Sequence, residues 1–214
     1  MPTDRDKISN AVIKRLPRYR RYLKELDKKG VEKISSRKLS ELIGYTASQI
    51  RQDLSNFGGF GQQGYGYNVR DLYNTISSIM GLDQQYKLVV VGIGSLGTAI
   101  TKFIDHYRSG FVIKSLFESN EEMIGRVVSD IVIRNAEDIV NFVEENDIDI
   151  GVICVPPSSA QEVADKLCFA GVRGLWNFAN VDLEVPDHVS VENVHLSDSL
   201  YSLAYRMNEQ GPRR

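Results

Sequence analysis

The sequence predicts two α/β units in series, an N-terminal winged helix-turn-helix and a C-terminal Rossmann-type parallel sheet. Three observations predict this. The apolar run Val89-Val90-Val91 ends at Gly92-Ile93-Gly94-Ser95-Leu96-Gly97, a G-x-G-x-x-G string that opens a helical pattern. Glu118 closes a second apolar run 21 residues after Gly97, the spacing of a dinucleotide-binding βαβ unit. Before that unit, two short capped helical patterns follow one another around Gly44 in a basic stretch.

Charge divides the 214 residues in the same way. Residues 1–85 hold 15 Lys and Arg against 9 Asp and Glu, and residues 86–214 hold 11 against 19. The balances of +6 and −8 hide inside a net charge of −2, and they suit a polyanion-binding module on an acidic carrier. With 42% hydrophobic and 25% charged residues, the composition is that of a globular chain. No apolar run approaches the roughly 18 residues of a membrane span. The charged start, Asp4-Arg5-Asp6-Lys7, lacks the apolar core of a signal peptide, so a cytoplasmic protein is expected. Cys154 and Cys168 sit in apolar surroundings and read as free thiols of a reducing compartment.

In chain order, a first helix is predicted from about Lys7 to Arg15. Pro17 suits the first turn of a second helix, whose apolar face carries Tyr19, Tyr22, Leu23 and Leu26 and which stops at Gly30. Arg18, Arg20, Arg21 and Lys24 lie mostly off that face. A serine-capped helix then runs to Gly44, and a new one starts at Thr46, with Gln49 three residues on as a capping box. Leu39, Leu42, Ile43, Ile50 and Leu54 are expected to join the two helices. The second would read DNA. Ser48, Gln49, Arg51 and Gln52 cluster near its N-terminal end, where side chains meet base edges, and Gln matches adenine as Arg matches guanine.

The glycine- and aromatic-rich stretch from Asn56 to Asn68 is predicted to be a β wing. Gln63, Tyr65 and Tyr67 on it, with Arg15 and Arg18 on the early helices, complete the candidate DNA contacts. A helix over residues 69–82 leads onward.

From Lys87, strands at 87–92, 111–117, 149–155 and 174–178, with weaker ones near 127–133 and 189–194, alternate with helices at 96–107, 136–146 and 158–170. That alternation implies a parallel sheet. Gly92 permits the tight turn, Gly94 admits a pyrophosphate, and Gly97 lets helix and strand approach. The helix N-terminus offers N–H groups to the phosphates. Glu118 can accept from ribose hydroxyls, and Ser119-Asn120-Glu121-Glu122 offers no cation for a 2′-phosphate, which favours NAD(H) over NADP(H). Val155-Pro156 and Asn177-Phe178 close further strands at the crevice. Phe178 either packs near a nicotinamide or lies in the core. His195 either caps the last helix or faces the ligand. That helix, about Leu196 to Met207, packs on its own unit or reaches a partner.

No acid–base pair for hydride chemistry and no metal-ligand cluster emerge, and the 129 residues after the first unit barely suffice for the cofactor fold. No catalytic residue and no metal are therefore expected. Two other readings stay open: a small NAD-dependent dehydrogenase with a basic N-terminal unit, and a DNA-binding protein whose ligand is ADP or coenzyme A.

The chain resembles the Rex family of redox-sensing transcriptional repressors over about residues 5–207. The resemblance rests on Lys14-Arg15-Leu16-Pro17, the helix Thr46-Ala47-Ser48-Gln49-Ile50-Arg51-Gln52-Asp53, and Gly64-Tyr65-Gly66-Tyr67-Asn68-Val69. Val155-Pro156, Trp176-Asn177-Phe178 and Glu192-Asn193-Val194-His195-Leu196-Ser197-Asp198 extend it. Ser95 and Glu118 stand where the family more often has Asn and Asp. The resemblance implies a homodimer that binds double-stranded operator DNA when NADH is scarce relative to NAD⁺ and releases it on binding NADH. It implies domains at 1–84 and 85–194, with the 195–214 segment exchanged between subunits. With no acid–base pair and no apolar run of membrane length, a sensor that is not an enzyme and has no membrane partner is expected.

Overall fold

The computed structural model describes residues 8–58, 66–107 and 110–210. The chain divides into two compact units, residues 1–84 and 85–214.

The first unit begins with α1 (Asn10–Ile13), capped by Ser9, and α2 (Leu16–Lys28). The single helix expected over 7–15 is thus only four residues long. Pro17 explains the break, because it has no N–H to donate to the Ile13 carbonyl, so the first helix cannot continue through it. Next come β1 (Lys33–Ile34), α3 (Ser36–Ile43), α4 (Ala47–Ser55), β2 (Tyr67–Asn68) and α5 (Val69–Ile79). The Ser35 side chain accepts from the Lys38 N–H, and the Thr46 hydroxyl accepts from the Gln49 N–H. Gly44 turns the chain between α3 and α4 at φ +75°, a conformation that favours glycine. Tyr19, Leu23, Leu39, Ile43, Ile50, Leu54, Leu72 and Ile76 form the core. Leu42, expected at the α3–α4 contact, instead faces solvent at 41% exposure.

β2 pairs antiparallel with β1, Ile34 opposite Tyr67. The two-residue β1 is too short for any alternation to announce it. A side chain on Gly66 would meet the Ile34 carbonyl oxygen at 2.7 Å, so glycine is required where the segment returns. Gln63 and Tyr65 lie outside the described residues.

The second unit comprises β3 (Tyr86–Val91), α6 (Ser95–Tyr107), β4 (Phe111–Glu118), β5 (Val127–Val128), β6 (Ile131–Asn135), a 3-10 turn and α7 (Ile139–Asn146). It continues with β7 (Ile150–Ile153), α8 (Pro157–Phe169), β8 (Gly174–Asn177), β9 (Ser190–Asn193) and α9 (Leu196–Glu209). The sheet has 7 strands in the order β5-β6-β4-β3-β7-β8-β9, parallel except for β5. The weak stretch expected near 127–133 is a hairpin and not one strand. Ser129 and Asp130, at φ +48° and +62°, make the two-residue turn whose twist joins antiparallel strands.

Val89, Val91, Phe117 and Ile153 face α7 and α8, while Leu88, Val90, Leu116 and Val152 face the α6 side. Counted from β3, the parallel order is 3-2-1-4-5-6, which reverses at β3 and opens a crevice at the strand carboxyl ends. An apolar trough of about 490 Å³, lined by Leu88, Phe103, Phe111, Ile150 and Trp176 among others, lies at the opposite, amino ends.

Candidate functional site

The first candidate surface is α4. Ile50, Asp53 and Leu54 are buried along one side, which leaves Ser48, Arg51, Gln52 and Ser55 on a single exposed face at helical spacing. Arg51 donates to the Ser36 hydroxyl at 3.1 Å, and Arg18 stacks over the Tyr45 ring at 5.0 Å.

The helix is pinned by a residue that pattern reading missed. Asp53 is fully buried and accepts from Arg15 Nε at 2.6 Å and Nη2 at 2.8 Å, from the Tyr19 hydroxyl at 2.6 Å, and from Gln49 Nε2 at 2.8 Å. Burial alone would raise its pKa, but the bonds from Arg15, Tyr19 and Gln49 hold it below the ordinary aspartate value. A buried carboxylate without such partners would be strongly destabilising. The available signal was its position, a carboxylate on the apolar stripe beside Ile50 and Leu54. Its partner Arg15, 38 residues away, has no sequence mark.

Three expectations change in the first unit. Arg15 is held in a two-pronged pair inside the unit. The Gln49 side chain turns to Asp53, so only the Thr46 half of the capping box forms. Tyr67 is 8% exposed and packs in the core, because its side of β2 faces the helices, so its ring is largely withdrawn from the surface expected of a DNA contact.

The second candidate is the crevice at the switch point. A Cβ on Gly92 would stand 2.7 Å from the Cys154 carbonyl oxygen, and one on Gly97 would stand 1.9 Å from the Gly92 carbonyl oxygen. Both glycines are therefore demanded by the protein itself. Gly94 is different, since among the described residues nothing beyond its chain neighbours lies within 4 Å of where its Cβ would be. Its bareness leaves open space above an exposed backbone, the arrangement that suits an incoming pyrophosphate.

Not every N–H of the loop is available. The Gly92 N–H donates to the Phe117 carbonyl at 2.9 Å, and the Ile93 N–H to Glu118 Oε2 at 2.7 Å. The first helical bond of α6 runs from the Thr98 N–H to the Gly94 carbonyl, so Ser95, Leu96 and Gly97 carry the N–H groups left at its start.

Glu118 braces the loop. Besides Ile93, it accepts from the N–H groups of Ser119 at 2.8 Å and Asn120 at 3.2 Å through Oε1, with the Ser119 hydroxyl also in reach. Burial pushes its pKa up, but the backbone bonds from Ile93, Asn120 and Ser119 outweigh this and keep it below the usual value. Oε2 carries one protein bond and retains room for a further donor.

Val155 closes against the loop, and its Cγ1 would be 2.9 Å from a Gly92 Cβ. Pro156 is exposed at the start of α8. Asn177 corrects an expectation. It is fully buried, donates to the Val181 carbonyl and Asn193 Oδ1, and accepts from the Ala179 N–H, so its polar atoms hold the loop after β8 and do not face the crevice. Phe178 is half-buried, edge-on to Trp176 at 4.6 Å. His195 precedes α9 without a side-chain cap bond; its Nε2 lies 3.4 Å from Asp182 Oδ1. Among the described residues no His, Cys, Asp and Glu cluster could hold a metal, and no helix is long and apolar enough to cross a membrane.

A capped helix-turn-helix followed in one chain by a dinucleotide-type crevice defines a ligand-responsive regulator of transcription. The family model "Putative DNA-binding protein N-terminus" matches residues 7–55, and the model "CoA binding domain" matches residues 83–181. A redox-sensing transcriptional repressor Rex of Thermoanaerobacter pseudethanolicus is 53% identical over 95% of this chain and 91% of its own. One from Clostridium perfringens is 54% identical over 94% and 95%. The crystal structure of RSP, a Rex-family repressor, with β-NAD⁺ and operator DNA superposes at a TM-score of 0.90, with 53% identity over 95% of this chain and 94% of that one. RSP with β-NADH gives a TM-score of 0.88, with 50% identity over 95% and 96%. The chain belongs to the Rex family of redox-sensing transcriptional repressors.

Proposed function

We propose that this chain represses transcription by gripping operator DNA as a homodimer, and that NADH entering the glycine-loop crevice releases it. The observation that carries the reading is the pairing of the open Gly94 backbone, above the Glu118 brace, with a capped α4 whose outer face is polar and cationic. The relatives crystallised with operator DNA and NAD⁺, and with NADH, support it.

In this reading the Ser95, Leu96 and Gly97 N–H groups hold the pyrophosphate at the α6 N-terminus. Glu118 Oε2 accepts from an adenosine ribose hydroxyl while Oε1 fixes the turn. Val155, Pro156 and Phe178 form the apolar side of the crevice. Ser48, Arg51 and Gln52 meet the major groove, and Arg18 meets phosphate. The chain works in the cytoplasm as a sensor that turns nothing over.

Redox discrimination follows from charge. An oxidised nicotinamide is a cation, and burying it beside Val155 and Phe178 is less favourable than burying the neutral reduced ring. The two recognition helices of a dimer must reach grooves roughly 34–36 Å apart, so a ligand that favours a different separation ejects DNA. The test is a titration of promoter-bound protein at fixed salt with each coenzyme form. NADH should release DNA at concentrations where NAD⁺ does not. Equal release by both forms would reject redox sensing, and steady NADH consumption with a small carbonyl substrate would favour a dehydrogenase.

A further inference from the structure

Gln49 lies near the N-terminal end of α4, half-exposed, at the edge of the DNA-reading face. Its amide is not free to turn. One N–H is bound at 2.8 Å to Asp53 Oδ1, and an ionised carboxylate only accepts hydrogen bonds. The amide must therefore present nitrogen inward. Its Oε1 and second N–H have no hydrogen-bond partner among the described residues. Asp53 is itself held by both prongs of Arg15 and by Tyr19 from α2. The orientation of Gln49 is thus set by a buried hydrogen-bond network and not by solvent.

We propose that Asp53 is a positioning residue for sequence reading, which locks Gln49 so that its outward acceptor and remaining N–H select adenine in the major groove. Adenine offers an N6 amino donor and an N7 acceptor, the complement of that edge. Guanine presents two acceptors at the same place and meets the Gln oxygen with repulsion. Arg15 has a second role here, since it neutralises a carboxylate that would otherwise sit on a helix approaching a polyanion. The inference rests on the proposed DNA-binding function and adds to it the determinant of one base pair.

The test is selection from a duplex pool randomised over both half-sites, without NADH, using the full-length protein. Wild type should enrich adenine at one position per half-site. Gln49→Met, which keeps the side chain's length and leaves Asp53 its Arg15 and Tyr19 partners, should lose about 10-fold preference at that position alone. Asp53→Asn supplies a neutral amide that can accept or donate. Gln49 could then turn over, and the preference should broaden toward guanine at the same position. If Asp53→Asn does not fold, replacing that adenine by purine, which lacks the amino group, tests the outward Gln49 acceptor that the positioning by Asp53 requires. Wild type should weaken about 10-fold on the purine duplex and Gln49→Met should not. An unchanged profile for Gln49→Met would overturn the proposal, as would even loss at all positions for Asp53→Asn or no purine effect on wild type. If wild type enriched no sequence and NADH released nothing, the DNA-binding reading itself would fail, an outcome distinct from these.

Discussion

At the scale of single residues, the glycines of the crevice separate fold from function. Gly97 is required by packing, because any side chain there would overlap the Gly92 carbonyl at 1.9 Å. A Cβ on Gly94 would meet nothing within 4 Å among the described residues beyond its chain neighbours. Gly97→Ala should therefore lower stability by about 3 kcal/mol or more, as forced overpacking does. Gly94→Ala should leave the thermal midpoint nearly unchanged yet weaken NADH about 10-fold or more, because the added methyl stands where the pyrophosphate would lie. Melting curves and coenzyme titrations of the two variants decide it; equal thermal losses would mean that Gly94 also serves the fold. The motif was legible because its spacing is local. What distinguishes its members was not, since the atoms that crowd Gly92 belong to Cys154 and Val155, more than 60 residues further on. Asp53 and Asn177 went unread, or misread, for the same reason: a buried polar residue is defined by partners that the fold brings to it.

At the scale of elements, strand–helix alternation revealed β3, α6, β4, β7, α8 and β8 nearly to the residue, because each is long enough to show its period. The misses were mostly short elements, with α1 of four residues and β1 and β5 of two. β1 exists only through its pairing with β2, and the β5–β6 hairpin depends on two positive φ values that Ser129 and Asp130 do not advertise. α9 poses a different problem. It has the apolar periodicity of a packed helix, yet none of its side chains is buried within the unit, with Leu200 63% and Tyr201 69% exposed. So much apolar surface on one helix suits the docking on a partner subunit that the family resemblance implies for it. Removing residues 196–214 should leave the sheet folded and NADH bound but shift the protein from dimer toward monomer and abolish tight operator binding. Sedimentation with circular dichroism would check this, and a truncated protein that remained a dimer would refute the role assigned to α9.

At the scale of the whole molecule, the question is whether one coenzyme can supply the free energy of release. Moving a population from 99% DNA-competent to 99% incompetent takes about 10⁴-fold differential affinity, about 5.5 kcal/mol. Typical coupling between two sites is 1–3 kcal/mol. A homodimer with two crevices meets the need if each NADH discriminates about 100-fold between the two states. Linkage then works in both directions: saturating operator DNA must weaken NADH by the same overall factor by which NADH weakens operator DNA. Coenzyme titrations followed by fluorescence, with and without operator at one salt concentration, should give factors that agree within about 2-fold. A dimer with one crevice blocked by a bulky residue at Gly94 should release DNA only partially, with close to the square root of the full effect. Full release from that half-blocked dimer would show that the subunits do not contribute equally, and that one bound NADH moves the whole assembly.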